Sequence, residues 1–124
     1  MKRDMEIVRQ ILLQLEERSH NEGTGVIKIQ NVDDQAISYH VGLLAQAGYV
    51  EAMEIGGEGP YWHTERLTWA GHEFLDAARN DSVWKSVMGK VKASGVSFTV
   101  EVINFALMFE GRRLGHQYLG LPFP

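Results

Sequence analysis

Apolar residues recur every three or four positions from Met5 to Leu15, and polar residues fill most of the positions between them. This spacing gathers the apolar side chains on one face of a helix, so it predicts a first helix over about residues 2–18. A turn segment of Asn and Gly follows. Residues 26–29 are mostly β-branched and predict a short strand.

A second helix is indicated by an apolar stripe that stops at a glycine. Asp33 and Asp34 precede the stripe and suit the positive end of a helix, and either Asn31 or Asp33 is expected to cap it. Gly48 is expected to end it. The stripe consists of Ile37, Val41, Leu44 and Ala47.

From Tyr49 onward the chain is strand-like on both sides of the glycine-rich segment 56–59. Two strands around such a tip predict a β-hairpin, or wing, that ends near Leu67.

Helical patterns predominate after the hairpin. Thr68 is expected to cap the first of these helices, and Asp81 or Ser82 the second. Residues 97–109 fit two patterns, because part of the segment alternates like a strand whereas another part has helical spacing. The length of the segment favours a helix.

The order helix, short strand, helix, two-stranded wing and further helices is typical of winged-helix proteins. We therefore predict an α+β fold with a winged helix-turn-helix core, in a single domain over residues 1–124 with a C-terminal helical extension over about residues 98–124. The sequence indicates one helix where a helix-turn-helix motif normally has two. The first helix of that pair is therefore expected to be shortened or missing.

Positions off the apolar stripe of the second helix are candidates for contact with nucleic acid or a protein partner. In a DNA-binding protein they would face the major groove, where Gln pairs with adenine and Ser or Tyr reaches base edges or phosphates. The alternative is a solvated or protein-facing surface. The candidates are Gln35, Ser38, Tyr39, Gly42 and Gln46 on the helix, and Glu51, Glu54, Glu58 and His63 on the wing.

Negative charge is concentrated in the same part of the chain. Residues 33–67 contain one basic and six acidic side chains, a net charge of −5, whereas the whole chain carries −4. Such a surface repels DNA, because DNA affinity depends on neutralising phosphates. A protein partner is therefore favoured. Sequence-specific DNA binding is the alternative, with basic residues from elsewhere converging on one face.

Composition limits the chemistry. The chain has no cysteine, which excludes disulfides, thiolate zinc sites and cysteine nucleophiles. No nucleophile elbow and no pair of carboxylates at a catalytic spacing is present, so we expect a non-enzymatic protein without a cofactor. The amphipathic start lacks the apolar region of a signal peptide, and the cytoplasm is the expected location, with no membrane contact.

The histidines offer a weak indication of metal binding. His40 and His72 lie in predicted helices, and His63 is two residues from Glu65 on the wing. Histidine and carboxylate at short spacing can bind a metal, but the sequence places no third ligand. We therefore favour hydrogen-bonded, partly buried imidazoles and expect no metal.

The last third of the chain is strongly apolar. Residues 100–109 leave hardly any polar face, so a helix there must be covered on all sides. We expect a homodimer built on residues 98–124, and the alternative is a helix that crosses the core and a loose tail. The interface candidates are Val100, Ile103, Leu107, Phe109, Leu114, Tyr118 and Leu119.

Several blocks of sequence carry a family resemblance. They are MKRDM at residues 1–5, ISYH at residues 37–40 and LTWAGHEFLD at residues 67–76, with Leu44, Ala47, Gly48, Asp81 and Trp84. In this order they resemble a family of small bacterial proteins, many encoded by prophages, known as domain of unknown function 2513. The resemblance implies a winged-helix-like fold and no established activity. The central helix is also similar to that of arsenic-repressor-type regulators.

Overall fold

A computed structural model describes residues 1–18, 27–55, 61–95 and 99–120. These ranges contain five α-helices and one two-stranded antiparallel sheet, which is the α+β class that the sequence predicts. None of these helices is long and apolar enough to cross a membrane. The elements are α1 (Met5–Glu17), α2 (Asp34–Gln46), β1 (Val50–Ile55), β2 (Tyr61–Leu67), α3 (Trp69–Ala78), α4 (Asp81–Ser94) and α5 (Val100–Leu119).

Backbone contacts divide the chain into two compact units, Met1–Leu75 and Asp76–Pro124. A single domain over residues 1–124 stays a prediction. In the first unit α2 is the central element, since it packs against α1 and against both strands. The buried apolar side chains of this unit are Met5, Val8, Ile11, Leu12, Leu15, Ile27, Ile37, Val41, Leu44, Val50, Leu67, Phe74 and Leu75.

Acidic side chains fix where the first two helices begin. α1 begins at Met5 because Asp4 caps it, with its Oδ1 accepting a hydrogen bond from the backbone nitrogen of Glu6 at 2.9 Å. Asp33 caps α2 in the same way and accepts from the backbone nitrogen of Ala36 at 2.7 Å. Of the two capping residues considered for α2, Asp33 is therefore the correct one.

The strand predicted over residues 26–29 is wrong for its described part. Residues 27–29 are irregular, and Val26 lies outside the described residues. Ile27 is buried, and the Gln14 side chain donates a hydrogen bond to the Lys28 carbonyl at 2.6 Å. The Ile27 side chain therefore packs in the core. The Gln14 side chain takes the backbone carbonyl that a neighbouring strand would otherwise bind.

The second unit contains α4 and α5, which pack against each other. α4 is capped by Asn80, one residue before the positions expected from the sequence, and the Asn80 side chain accepts from the Val83 backbone nitrogen at 3.0 Å. α5 confirms the helical interpretation of residues 100–109 and extends it to Leu119. The buried apolar side chains here are Ala78, Trp84, Val87, Val91, Ile103 and Leu107.

Candidate partner-binding surface

Beyond its first residue, Asp34, the helix α2 is exposed along a narrow strip. Gln35, Tyr39 and Gln46 lie along it, and their spacings of four and seven residues place them on one line of the helix surface. The Tyr39 side chain is 40% exposed. These three predicted positions are therefore at the surface.

Ser38 and Gly42 are buried, so the prediction that they face a partner is wrong. The indole of Trp62 on β2 lies against Gly42, and a Cβ at position 42 would be only 2.7 Å from its Nε1 atom. Ser38 lies one turn earlier and is 9% exposed. The hairpin thus covers a side of α2 that carries no apolar stripe, and sequence periodicity gave no signal of it.

The face of the hairpin that meets α2 also carries an acidic residue. Glu54 on β1 is directly opposite Trp62 on β2, and directly opposed residues lie on the same face of a sheet. Glu54 is exposed, and Trp62 is half-buried. We name the set of Gln35, Tyr39, Gln46, Glu54 and Trp62 the α2–hairpin surface.

The remaining wing candidates lie elsewhere. His63 is opposite Met53 on the other face of the hairpin, and Glu51 is opposite Arg66 on that same face. These two candidates are exposed but do not border the strip of α2. Glu58 lies outside the described residues.

Two basic side chains of the first unit are paired with acids. Lys28 Nζ lies 2.8 Å from Asp34 Oδ1, and Arg66 Nε lies 2.5 Å from Glu51 Oε2. α2 has no lysine or arginine of its own. Exposed ion pairs add little stability, but each one cancels the local positive potential. The exposed Glu54 adds a negative charge to the α2–hairpin surface.

His40 holds the start of α1 to α2. Its side chain is 1% exposed, its Nε2 accepts a hydrogen bond from the Asp4 backbone nitrogen at 2.8 Å, and its Nδ1 donates to the Ala36 carbonyl at 2.7 Å. These roles place the proton on Nδ1 and make the imidazole neutral. The interpretation of His40 as a buried, hydrogen-bonded histidine is confirmed. Across the described ranges no three His, Asp or Glu side chains are grouped to hold a metal ion.

A polar groove of about 440 Å³ runs between α1 and the segment before α2. Within the groove the Gln10 side chain donates to Glu6, whereas Lys28 pairs with Asp34, which does not line the groove. The lining residues are Asp4, Glu6, Ile7, Gln10, Gln14, Lys28, Ile29, Gln30 and Val32.

Comparison with known proteins identifies the family. Residues 2–97 match the sequence profile described as "Hypothetical protein (DUF2513)". The chain belongs to this family. It is also 36% identical over 105 residues to a Haemophilus influenzae protein described as "Uncharacterized protein", a match that covers 83% of this chain and 89% of that protein. No solved structure matches. The family resemblance found in the sequence is confirmed.

Sequence reasoning missed one surface residue within the part that matches the DUF2513 family. Trp69, the first residue of α3, is 81% exposed. The signal was available, because Gly71, Phe74, Leu75 and Ala78 form the buried stripe of α3 and helical spacing places Trp69 outside it. Exposed tryptophan is enriched at the centres of protein interfaces.

The interface candidates near the C-terminus divide into three groups. Ile103 and Leu107 are 0% and 1% exposed, so they belong to the core of their own chain and the prediction that they meet a second chain is wrong. Phe109 is 49% exposed. The side chains of the others, Val100, Leu114, Tyr118 and Leu119, lie outside the described residues.

Proposed function

We propose that this member of the DUF2513 family is a non-enzymatic adaptor or regulator that binds a protein through the α2–hairpin surface. The observation that carries the proposal is the indole of Trp62 on Gly42. It places an aromatic side chain in the middle of the helix strip, between Tyr39 and Gln46. Aromatic residues are enriched in protein interfaces because they bury a large area at a small cost in conformational entropy.

A winged-helix core is part of the proposal. The sequence of α1, α2, a two-stranded hairpin and α3 supports it, because α2 stands where the recognition helix of such folds precedes the wing. The proposed setting is the cytoplasm of a bacterium, in a phage-related role that the family resemblance implies. The absence of cysteine suits a reducing compartment.

Charge supports a protein partner over DNA. Lys28 and Arg66 are engaged by Asp34 and Glu51, so neither adds net positive charge to the surface. DNA binding draws most of its affinity from lysine and arginine contacts to phosphates. A partner with exposed basic side chains would instead be attracted by Glu54.

Reversing the charge of Glu54 tests the proposal. Tagged wild-type protein is expected to retain a partner from a lysate of its own bacterium, also after nuclease treatment. Glu54→Lys should reduce the retained amount at least about tenfold, because it places a cation where an acid attracted the partner. Glu17→Lys is the matched control, since Glu17 is exposed at the end of α1 and the charge change is the same.

Two results would count against a protein partner at this surface. One is equal retention by wild type and Glu54→Lys. The other is retention that disappears when nucleic acid is digested.

DNA binding is the second candidate function. Gln35, Tyr39 and Gln46 favour it, because these polar side chains are exposed on one line of a helix and could reach base edges. Under this alternative Tyr39→Ala would weaken DNA binding. Ser38→Ala would not test this alternative, because Ser38 is buried and its substitution acts on folding.

A further inference from the structure

One face of α5 exposes large apolar side chains. Phe105 is 73% exposed, Met108 47% and Phe109 49%. Their spacing of three and four residues places them side by side, and the exposed Arg112 continues the row by one turn. We name Phe105, Met108, Phe109 and Arg112 the α5 stripe.

The opposite face of α5 is held in the second unit. Ile103, Leu107 and Glu110 recur there at spacings of four and three and are buried. The Glu110 carboxylate accepts a hydrogen bond from Arg113 Nε at 3.1 Å, and this bond lowers the pKa of Glu110 against the smaller opposing effect of burial. Because the buried face fixes the rotation of the helix, the α5 stripe points away from that core.

The α5 stripe is large for an apolar surface in water. At the exposures given, its three apolar side chains present on the order of 300 Å². Exposed patches of this size on ordinary soluble proteins are often interaction sites.

The α5 stripe is complementary to the α5 stripe of a second chain that runs in the opposite direction. An aromatic ring, Phe105, lies at one end and a guanidinium, Arg112, lies seven residues away at the other. In a two-fold symmetric contact, residue i of one copy meets residue j of the other and the reverse. Antiparallel packing about a point between Met108 and Phe109 therefore sets each Arg112 against the partner's Phe105.

We propose that the α5 stripe is the contact between two copies of this chain, packed as antiparallel helices. Arginine over an aromatic face gains cation–π attraction, and a methionine sulfur beside an aromatic ring is also favourable. The contact places Met108 against the partner's Phe109. It differs from the interface expected from sequence, since it uses the exposed Phe105 and Met108 and leaves Ile103 and Leu107 in the core.

The proposal is independent of the α2–hairpin surface, which lies in the other unit. A dimer would present two such surfaces, but each proposal can fail while the other holds. The area of the α5 stripe is small for a permanent dimer, so association should be weak and concentration-dependent.

Sedimentation of the full chain at about 10 to 300 µM tests the proposal. The mass should rise from 14.0 kDa for one chain toward twice that value. Met108→Glu should weaken association at least about tenfold, because it places a charge in the centre of an apolar contact. Met53→Glu is the matched control, since Met53 is 60% exposed on the hairpin and should leave association unchanged.

A cross-linking measurement keeps the proposal testable if Met108→Glu does not fold. The chain has no cysteine, so Met108→Cys adds a single thiol. A short bis-maleimide should join two Met108→Cys chains and should not join Met53→Cys chains. A mass of one chain throughout the concentration range would overturn the proposal. A dimer that Met108→Glu leaves intact, or that Met53→Glu weakens equally, would also overturn it.

Discussion

At the scale of single residues, His40 shows how a buried polar group can join two helices. Its Nε2 atom accepts a hydrogen bond from the backbone nitrogen of Asp4, the residue that caps α1. Its Nδ1 atom donates a hydrogen bond to the carbonyl of Ala36 inside α2. The imidazole itself is buried, since the His40 side chain is 1% exposed. Buried polar groups that lose their partners cost free energy, so the imidazole is a structural requirement of the α1–α2 pair.

Replacing His40 by alanine should therefore destabilise the protein. We expect the free energy of unfolding to fall by about 2 to 4 kcal/mol, because the substitution leaves a cavity and removes both hydrogen bonds. His72→Ala should change it by less than about 0.5 kcal/mol, since His72 is exposed on α3. Urea denaturation of both variants measures the difference. Equal effects of the two substitutions would contradict the structural role of His40.

Sequence predicted the exposure of single residues correctly where the helical spacing of α2 alone determines it. Gln35, Tyr39 and Gln46 are exposed because they lie off the apolar stripe of α2. Gly42 lies off the same stripe but is covered by Trp62, which is twenty residues later in the chain. Helical periodicity describes one helix at a time, so it cannot show contacts made by a distant hairpin.

At the scale of elements, the start of α3 is fitted against the turn between α2 and β1. Thr68 Oγ1 donates to the Gly48 carbonyl at 2.5 Å and accepts from the Gly71 backbone nitrogen at 3.1 Å. The backbone comes so close that a Cβ at Gly71 would lie 2.0 Å from the Tyr49 carbonyl oxygen. Glycine is thus required at position 71 by the packing of α3 on this turn.

Two glycine-to-alanine substitutions should therefore have opposite effects. Gly71→Ala should lower the free energy of unfolding by about 2 kcal/mol or more, because the clash is with backbone that cannot rotate away. Gly89→Ala should raise it by up to about 1 kcal/mol, since position 89 of α4 has open space around it and alanine favours helix. Thermal or urea unfolding measures both variants. A stabilised Gly71→Ala protein would contradict the close approach of α3.

The elements themselves were largely predictable, because helices and hairpins follow from local spacing and turn residues. The four helices that sequence analysis predicted through residue 94 are present, with differences of a few residues at their ends. The strand predicted over residues 26–29 is absent from the described residues 27–29, since a strand needs a neighbour and β-branched residues do not supply one. For residues 97–109, the length of the segment favoured a helix over a strand. This choice is correct for residues 100–109, which belong to α5.

At the scale of the whole molecule, the two units present different chemistry. The first carries an acidic region with aromatic side chains on α2 and the hairpin, and the second carries the apolar α5 stripe. Total charge alone would not have separated DNA from protein as the partner. The pairing of Lys28 and Arg66 with acids supports our proposal of a protein partner, because it offsets positive charge that would attract DNA.

The α2–hairpin surface is proposed to bind a protein and not DNA. Titration of a labelled random-sequence duplex at about 50 mM and about 200 mM salt tests it most directly, because non-specific DNA binding strengthens steeply as salt falls. We predict no saturable change in fluorescence anisotropy at either salt concentration. Saturable binding at the lower salt that weakens at the higher salt, and that Tyr39→Ala reduces, would contradict the claim.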